Sequence, residues 1–186
     1  MNLALEISAV ILNVVYLILL IKEKIACWFF GILGSIVSIY LFYSIGLYSE
    51  AILYMYYIFI GIYGYIIWNR KKTAPQIKAI GSKQHILFIS VGIFSAITIG
   101  AIVEKFTNAS SPFHDALTTI FSFIASYLEA NKIISAWMFW ILINISTVFL
   151  YLQKNLTLYV ALTIVYLIFS IVGYAKWNKK LAISNL

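Results

Sequence analysis

Seven long apolar runs, separated by short polar stretches, organise the chain. They fall at about 3–21, 26–45, 51–68, 85–103, 113–130, 136–152 and 158–176. Each is close to the 17–25 residues that a helix needs to cross a bilayer. All are too long and unbroken for barrel strands, so the pattern predicts helices. The only prolines, Pro75 and Pro112, fall at or outside helix ends. Ser110, Ser111, Pro112 and Asp115 together predict the start of the fifth helix, as cap, first-turn proline and first-turn acid.

A second regularity lies at longer range. Trp28 matches Trp137, Gly64 matches Gly173 and Trp68 matches Trp177, each pair 109 positions apart. In the same register, without a gap, Phe30 pairs with Phe139, Leu41 with Leu150, Leu47 with Leu156, Tyr57 with Tyr166, Tyr65 with Tyr174, Asn69 with Asn178 and Lys71 with Lys180. Apolar coincidences are cheap in such a chain, but a repeated Gly-Tyr-x-x-Trp-Asn is not. The step spans four crossings, an even number, so both halves enter the bilayer in the same direction. The predicted fold is therefore all-α and integral to the membrane, with two parallel three-helix repeats joined by a linking helix, as in SWEET-type carriers. The boundaries read as 1–72 for the first repeat, 73–109 for a basic loop and the linking helix, and 110–186 for the second repeat. A substrate path between two such halves, with its site near the midplane, is the expected use of this plan.

Composition agrees and narrows the function. Of 186 residues 63% are hydrophobic and 10% charged, and the mean hydropathy is +0.99, values of the bilayer class. Little chain is left for a soluble domain, so an appended enzyme or a partner-binding scaffold is not expected. The net charge of +7 does not point to nucleic acid, because the cations gather in short loops. Lys22, Lys24, Arg70, Lys71, Lys72, Lys78, Lys83, Lys132, Lys176, Lys179 and Lys180 lie on one side, and Lys105 and Lys154 on the other. That bias puts the C-terminus in the cytoplasm and the N-terminus outside. Cys27 is the sole cysteine, so no internal disulfide forms, and the residues before it fit a lipidation signal poorly. No His, Cys or carboxylate cluster has metal spacing, and no nucleophile–base pair or phosphate loop occurs. No metal, cofactor or enzymatic activity is expected.

Polar and aromatic residues nevertheless line particular helix faces. The sixth helix sets Trp137, Trp140, Asn144, Thr147 and Tyr151 along one face, and the fifth does so with Thr119, Ser122, Ser126 and Glu129. The seventh carries Thr163, Tyr166, Ser170, Gly173 and Trp177, and the third Tyr54, Tyr57, Gly61, Gly64 and Trp68. Such faces turn toward protein or water and away from lipid. Trp140, Asn144 and Trp137 are the strongest candidates for a binding site, with Thr119, Ser122, Ser126, Tyr166 and Tyr57 around them. The small residues Gly31, Ser35, Gly61 and Gly64 read as close-packing positions. Trp68 and Trp177, beside lysines, read as interfacial anchors. Glu6 and Asp115 read as helix-start acids, His85 and His114 as helix-end histidines, and Glu129 as a partner of Lys132.

The stretch beginning His114-Asp-Ala-Leu-Thr-Thr, the Trp137-Met-Phe-Trp140 motif and the Gly-Tyr-x-x-Trp ending at Trp177 resemble the Pnu transporters of bacterial vitamin precursors. The PnuC type, which takes up nicotinamide riboside, is the nearest, and the likeness covers essentially the whole chain. The resemblance implies a homotrimer in the bacterial inner membrane with one substrate path per protomer. It also implies facilitated diffusion with intracellular trapping by phosphorylation, feeding NAD biosynthesis, and a role for Trp137 and Trp140 in holding an aromatic ring. Ser126 stands where the family would carry glutamine, and Asn144 where it would carry aspartate. Relatives that move thiamine or riboflavin share the scaffold, so those substrates are the alternatives. A sensor or scaffold subunit is the rival of another class.

Overall fold

The structure is a computed structural model that describes residues 3–44, 48–70, 74–107, 111–153 and 157–184. Ser110, Lys71, Lys72 and Lys154, and the repeat pair Leu47–Leu156, lie outside the described residues. Within them the chain forms seven helices: α1 (Leu3–Ile21), α2 (Ala26–Ser44), α3 (Tyr48–Trp68), α4 (Ser82–Phe106), α5 (Pro112–Ala130), α6 (Ser135–Gln153) and α7 (Thr157–Ser184). All seven expected segments are present. Six are long and apolar enough to cross a membrane; α5 is also 19 residues long, but its polar stripe dilutes its apolar character.

Two boundaries differ from the apolar runs for local reasons. Helix α4 begins before its apolar stretch because Gly81 caps it: the Gln84 side chain accepts the Gly81 N–H at 3.3 Å, and the Gln84 N–H donates back to the Gly81 carbonyl at 3.1 Å. Helix α7 runs on past Lys176 to Ser184, because no glycine or proline follows to stop it.

The chain divides into two compact units, residues 1–76 and 77–186. In the first, α2 packs against both α1 and α3. In the second, α4 packs on α5, α5 on α6 and α6 on α7. The linking helix therefore belongs to the second unit, seated through glycines: a Cβ on Gly92 would come within 2.8 Å of the Phe121 ring, and one on Gly100 within 2.6 Å of Phe113. The outer faces of the helices are apolar, as with Phe59, Phe94 and Phe149, the arrangement expected where lipid replaces water. The end of the basic loop is also tied down. Lys78 donates its N–H to the Lys132 carbonyl and accepts the Ile134 N–H, both at 3.0 Å, while Ile77 is buried.

The repeat is written in the backbone as well as the sequence. Glu23 and Lys132, 109 positions apart, both adopt φ of 53°, and no other non-glycine described residue has a positive φ. Each ends the helix before it with a left-handed residue. Glu23 N–H donates to Leu20 and Lys24 N–H to Leu19; in the same register Lys132 N–H donates to Glu129 and Ile133 N–H to Leu128. Both turns then open the next helix alike, with Trp28 N–H on Ile25 and Trp137 N–H on Ile134, each at 3.2 Å.

Candidate functional site

The two tryptophans of the Trp137-x-x-Trp140 motif have different surroundings. Trp137 is 0% exposed. Its ring meets Trp177 edge-on, with centroids 5.4 Å apart and planes at 90°. It lies over Gly173, where an added Cβ would stand 2.6 Å from the indole. The first unit repeats the arrangement: Trp28 meets Trp68 at 5.3 Å and 86°, over Gly64, whose added Cβ would overlap the Trp28 ring. The indole nitrogens of Trp28, Trp137 and Trp177 are buried and have no hydrogen-bond partner among the described residues. Edge-on ring packing holds each pair together.

The placement corrects one expectation. Trp68 and Trp177 are not interfacial anchors, since both are buried within their units, Trp177 at 1% exposure. The glycine one turn earlier on the same helix opens a slot for the facing indole, which in turn covers the tryptophan.

Trp140 is only partly buried, packed against the core cluster that includes Ala125 and Leu128. Its indole N–H donates to Glu129 Oε2 at 2.8 Å. Glu129 is 1% exposed, one of the largest fully buried side chains. Burial strengthens this hydrogen bond. Helical spacing alone does not predict the Trp140 contact. A signal for it does exist. In the repeat register Glu129 corresponds to Leu20 and Trp140 to Gly31, so the acceptor and the donor depart together from the first repeat.

The other candidate residues fall on the same helices. Asn144 is buried and donates through Nδ2 to Ser170 Oγ at 3.2 Å, joining α6 to α7. Ser170 in turn donates to the Tyr166 carbonyl at 2.9 Å. Ser122 and Ser126 are buried on α5, and Ser126 Oγ donates to the Ser122 carbonyl at 2.6 Å. Thr119 and Tyr166 are partly buried. The structure thus brings Glu129 to Trp140 and Asn144 to Ser170 within the second unit. Tyr57, in the first unit, lies in an aromatic run with Tyr54, centroids 5.4 Å apart. The two helix-end histidines make interhelical contacts: His85 Nε2 shares a hydrogen bond with Ser135 Oγ at 2.7 Å, and His114 Nε2 with Ser146 Oγ at 2.9 Å. Among the described residues no group of three His, Cys, Asp or Glu could hold a metal ion.

The sequence pattern of the nicotinamide mononucleotide transporter family matches residues 3–179. The chain belongs to that family. It is therefore a multi-pass membrane protein of a family of transporters and not of enzymes. It is 23% identical over 158 residues to the nicotinamide riboside transporter PnuC of Escherichia coli K12, an alignment covering 69% of this chain and 66% of that protein. It is 26% identical to the PnuC of Neisseria mucosa over 85% of this chain and 65% of that one. The chain thus spans slightly less than two thirds of the length of these relatives. A crystal structure described as that of the vitamin B3 transporter PnuC superimposes with a TM-score of 0.80 at 20% identity, covering 97% of this chain and 83% of that one. The 3+1+3 helical fold is shared.

Proposed function

We propose that this protein carries a flat aromatic vitamin precursor across the bacterial cytoplasmic membrane, nicotinamide riboside before thiamine or riboflavin. The single observation that carries the reading is Trp140. It is a large indole on a polar helix face, left partly open while its equivalent partner-in-motif Trp137 is sealed in the core. An indole face takes up a heterocycle by stacking and a pyridinium through its quadrupole. Asn144, Ser122, Ser126 and Thr119 supply neutral hydrogen-bonding groups suited to a ribose. The names of the curated relatives favour nicotinamide riboside as cargo.

Transport is facilitated diffusion, with phosphorylation in the cytoplasm trapping the product for NAD biosynthesis. What supports this is the scarcity of acids: six in the chain, three of them, Glu6, Glu50 and Asp115, in first turns of helices, while the buried Glu129 accepts a hydrogen bond from Trp140; uptake into proteoliposomes that requires an imposed proton gradient overturns it. Ion-coupled carriers place such groups at membrane depth. The cation bias supports a cytoplasmic C-terminus and an outer N-terminus, and the family resemblance supports a homotrimer.

A thermal-shift titration of the purified protein tests the reading, because a ligand stabilises the folded state as ln(1 + [L]/Kd). Nicotinamide riboside should raise the melting temperature, and thiamine and riboflavin should not. Trp140→Ala should weaken riboside binding about ten- to a hundredfold, the scale of base–aromatic stacking. An undiminished affinity in the folded variant removes Trp140 from the site.

A further inference from the structure

The Glu129–Trp140 hydrogen bond does more than fix a rotamer. A carboxylate that accepts an indole N–H pushes electron density into the ring system, since hydrogen-bonded groups polarise one another and do so most in a low-dielectric setting. The attraction of a cation to an indole face grows with that density. Glu129 is also 1% exposed, so little water screens its field. Lys132 lies one turn beyond, partly buried, with its backbone N–H on the Glu129 carbonyl at 3.0 Å. The first repeat carries neither group: Leu20 and Gly31 occupy the two positions, so a carboxylate–indole hydrogen bond is not needed to build a three-helix unit. Its presence in the second unit calls for another reason.

We infer that Glu129 is a positioning residue that makes the Trp140 face selective for cationic aromatic rings over uncharged rings of the same shape. This rests on the reading of Trp140 as the substrate wall. The discriminating ligands are nicotinamide riboside, whose ring nitrogen is quaternary and positive, and its reduced dihydropyridine form, which has the same riboside but no charge.

Binding of both ligands is measured by titration calorimetry on the purified full-length chain and on Glu129→Gln, Glu129→Asp and Trp140→Phe. The unaltered protein should prefer the cation. Glu129→Gln, which keeps an acceptor but no charge, should weaken the cation about three- to thirtyfold and leave the neutral ligand within about twofold. Glu129→Asp should retain the preference. Trp140→Phe, which keeps a ring but has no N–H to donate, should lose it even with Glu129 in place, and this variant carries the test if Glu129→Gln does not fold. A Glu129→Gln protein that loses both ligands equally, or neither, overturns the inference and leaves Trp140 as the wall. Failure of the unaltered protein to bind either riboside removes both readings together.

Discussion

The two units share the turn at Glu23 and Lys132 and the buried indole pairs, yet they differ where Trp140 stands. In the first unit Tyr16 is the large residue and Gly31 the small one, and an added Cβ on Gly31 would come within 2.9 Å of the Tyr16 ring. In the second unit the sizes are exchanged, because the corresponding residues are Ala125 and Trp140. Ala125 is fully buried in the cluster against which Trp140 packs. Leu20, also fully buried, is the counterpart of Glu129. One scaffold thus holds either a tyrosine or a hydrogen-bonded indole at the same place. What the units share explains stability, and what only one of them has is where function is to be sought.

The most severe way to break the comparison is Leu20→Glu. It puts a carboxylate at a buried position where the first unit offers glycine in place of the indole donor. Burying such a group without a partner costs several kcal/mol, or forces it to protonate. We expect a large fall in melting temperature, or loss of monodisperse protein on size exclusion. A variant as stable as the parent would mean that the carboxylate needs no indole, and the contrast between the units would lose its meaning.

A smaller effect sharpens the shared part. Gly64→Ala and Gly173→Ala each drive a methyl group into the face of a buried indole. Overpacking of this kind costs about 1–3 kcal/mol, and the two variants should melt lower by similar amounts. Riboside affinity separates packing from recognition. If Trp137 serves only as packing, Gly173→Ala stays within about threefold of the parent once folded. A tenfold loss, absent from Gly64→Ala, would bring Trp137 into the site.

Much of this architecture is legible in the sequence, because a bilayer imposes long apolar runs and the 109-residue step survives in glycine, tyrosine and tryptophan. The polar faces of α5, α6 and α7 are legible too, from helical spacing. Which tryptophan is sealed and which left open is not. Trp137 and Trp140 lie three residues apart on one face, and only the slot at Gly173, on another helix, buries the first. Nor does proximity to lysine reveal an anchor: Trp177 follows Lys176, but its ring turns inward against Trp137. Glu129 is the instructive case. Helical spacing points to Lys132 within the turn, but gives no sign of the indole that reaches it from across that turn, eleven residues on.

The mildest test concerns Asn144, whose amide is held by Ser170 across α6 and α7. The first repeat has Ser35 and Gly61 at these positions, and Ser35 Oγ donates to the Gly31 carbonyl at 2.8 Å, within its own helix. The interhelical bond is therefore not needed to build a three-helix unit. Ser170→Ala removes the acceptor while keeping the volume close to native. Interhelical hydrogen bonds in membranes average about 0.6 kcal/mol, so the expected loss of stability is small, a degree or two in melting temperature on the usual scale. Binding is the sharper readout. If Ser170 merely ties two helices together, riboside affinity should change by less than about threefold. If instead the bond aims the Asn144 carbonyl at a ribose hydroxyl, the freed amide loses its orientation and affinity falls about tenfold, with stability almost unmoved. That second outcome would extend the functional difference between the units from Trp140 to the next turn of α6.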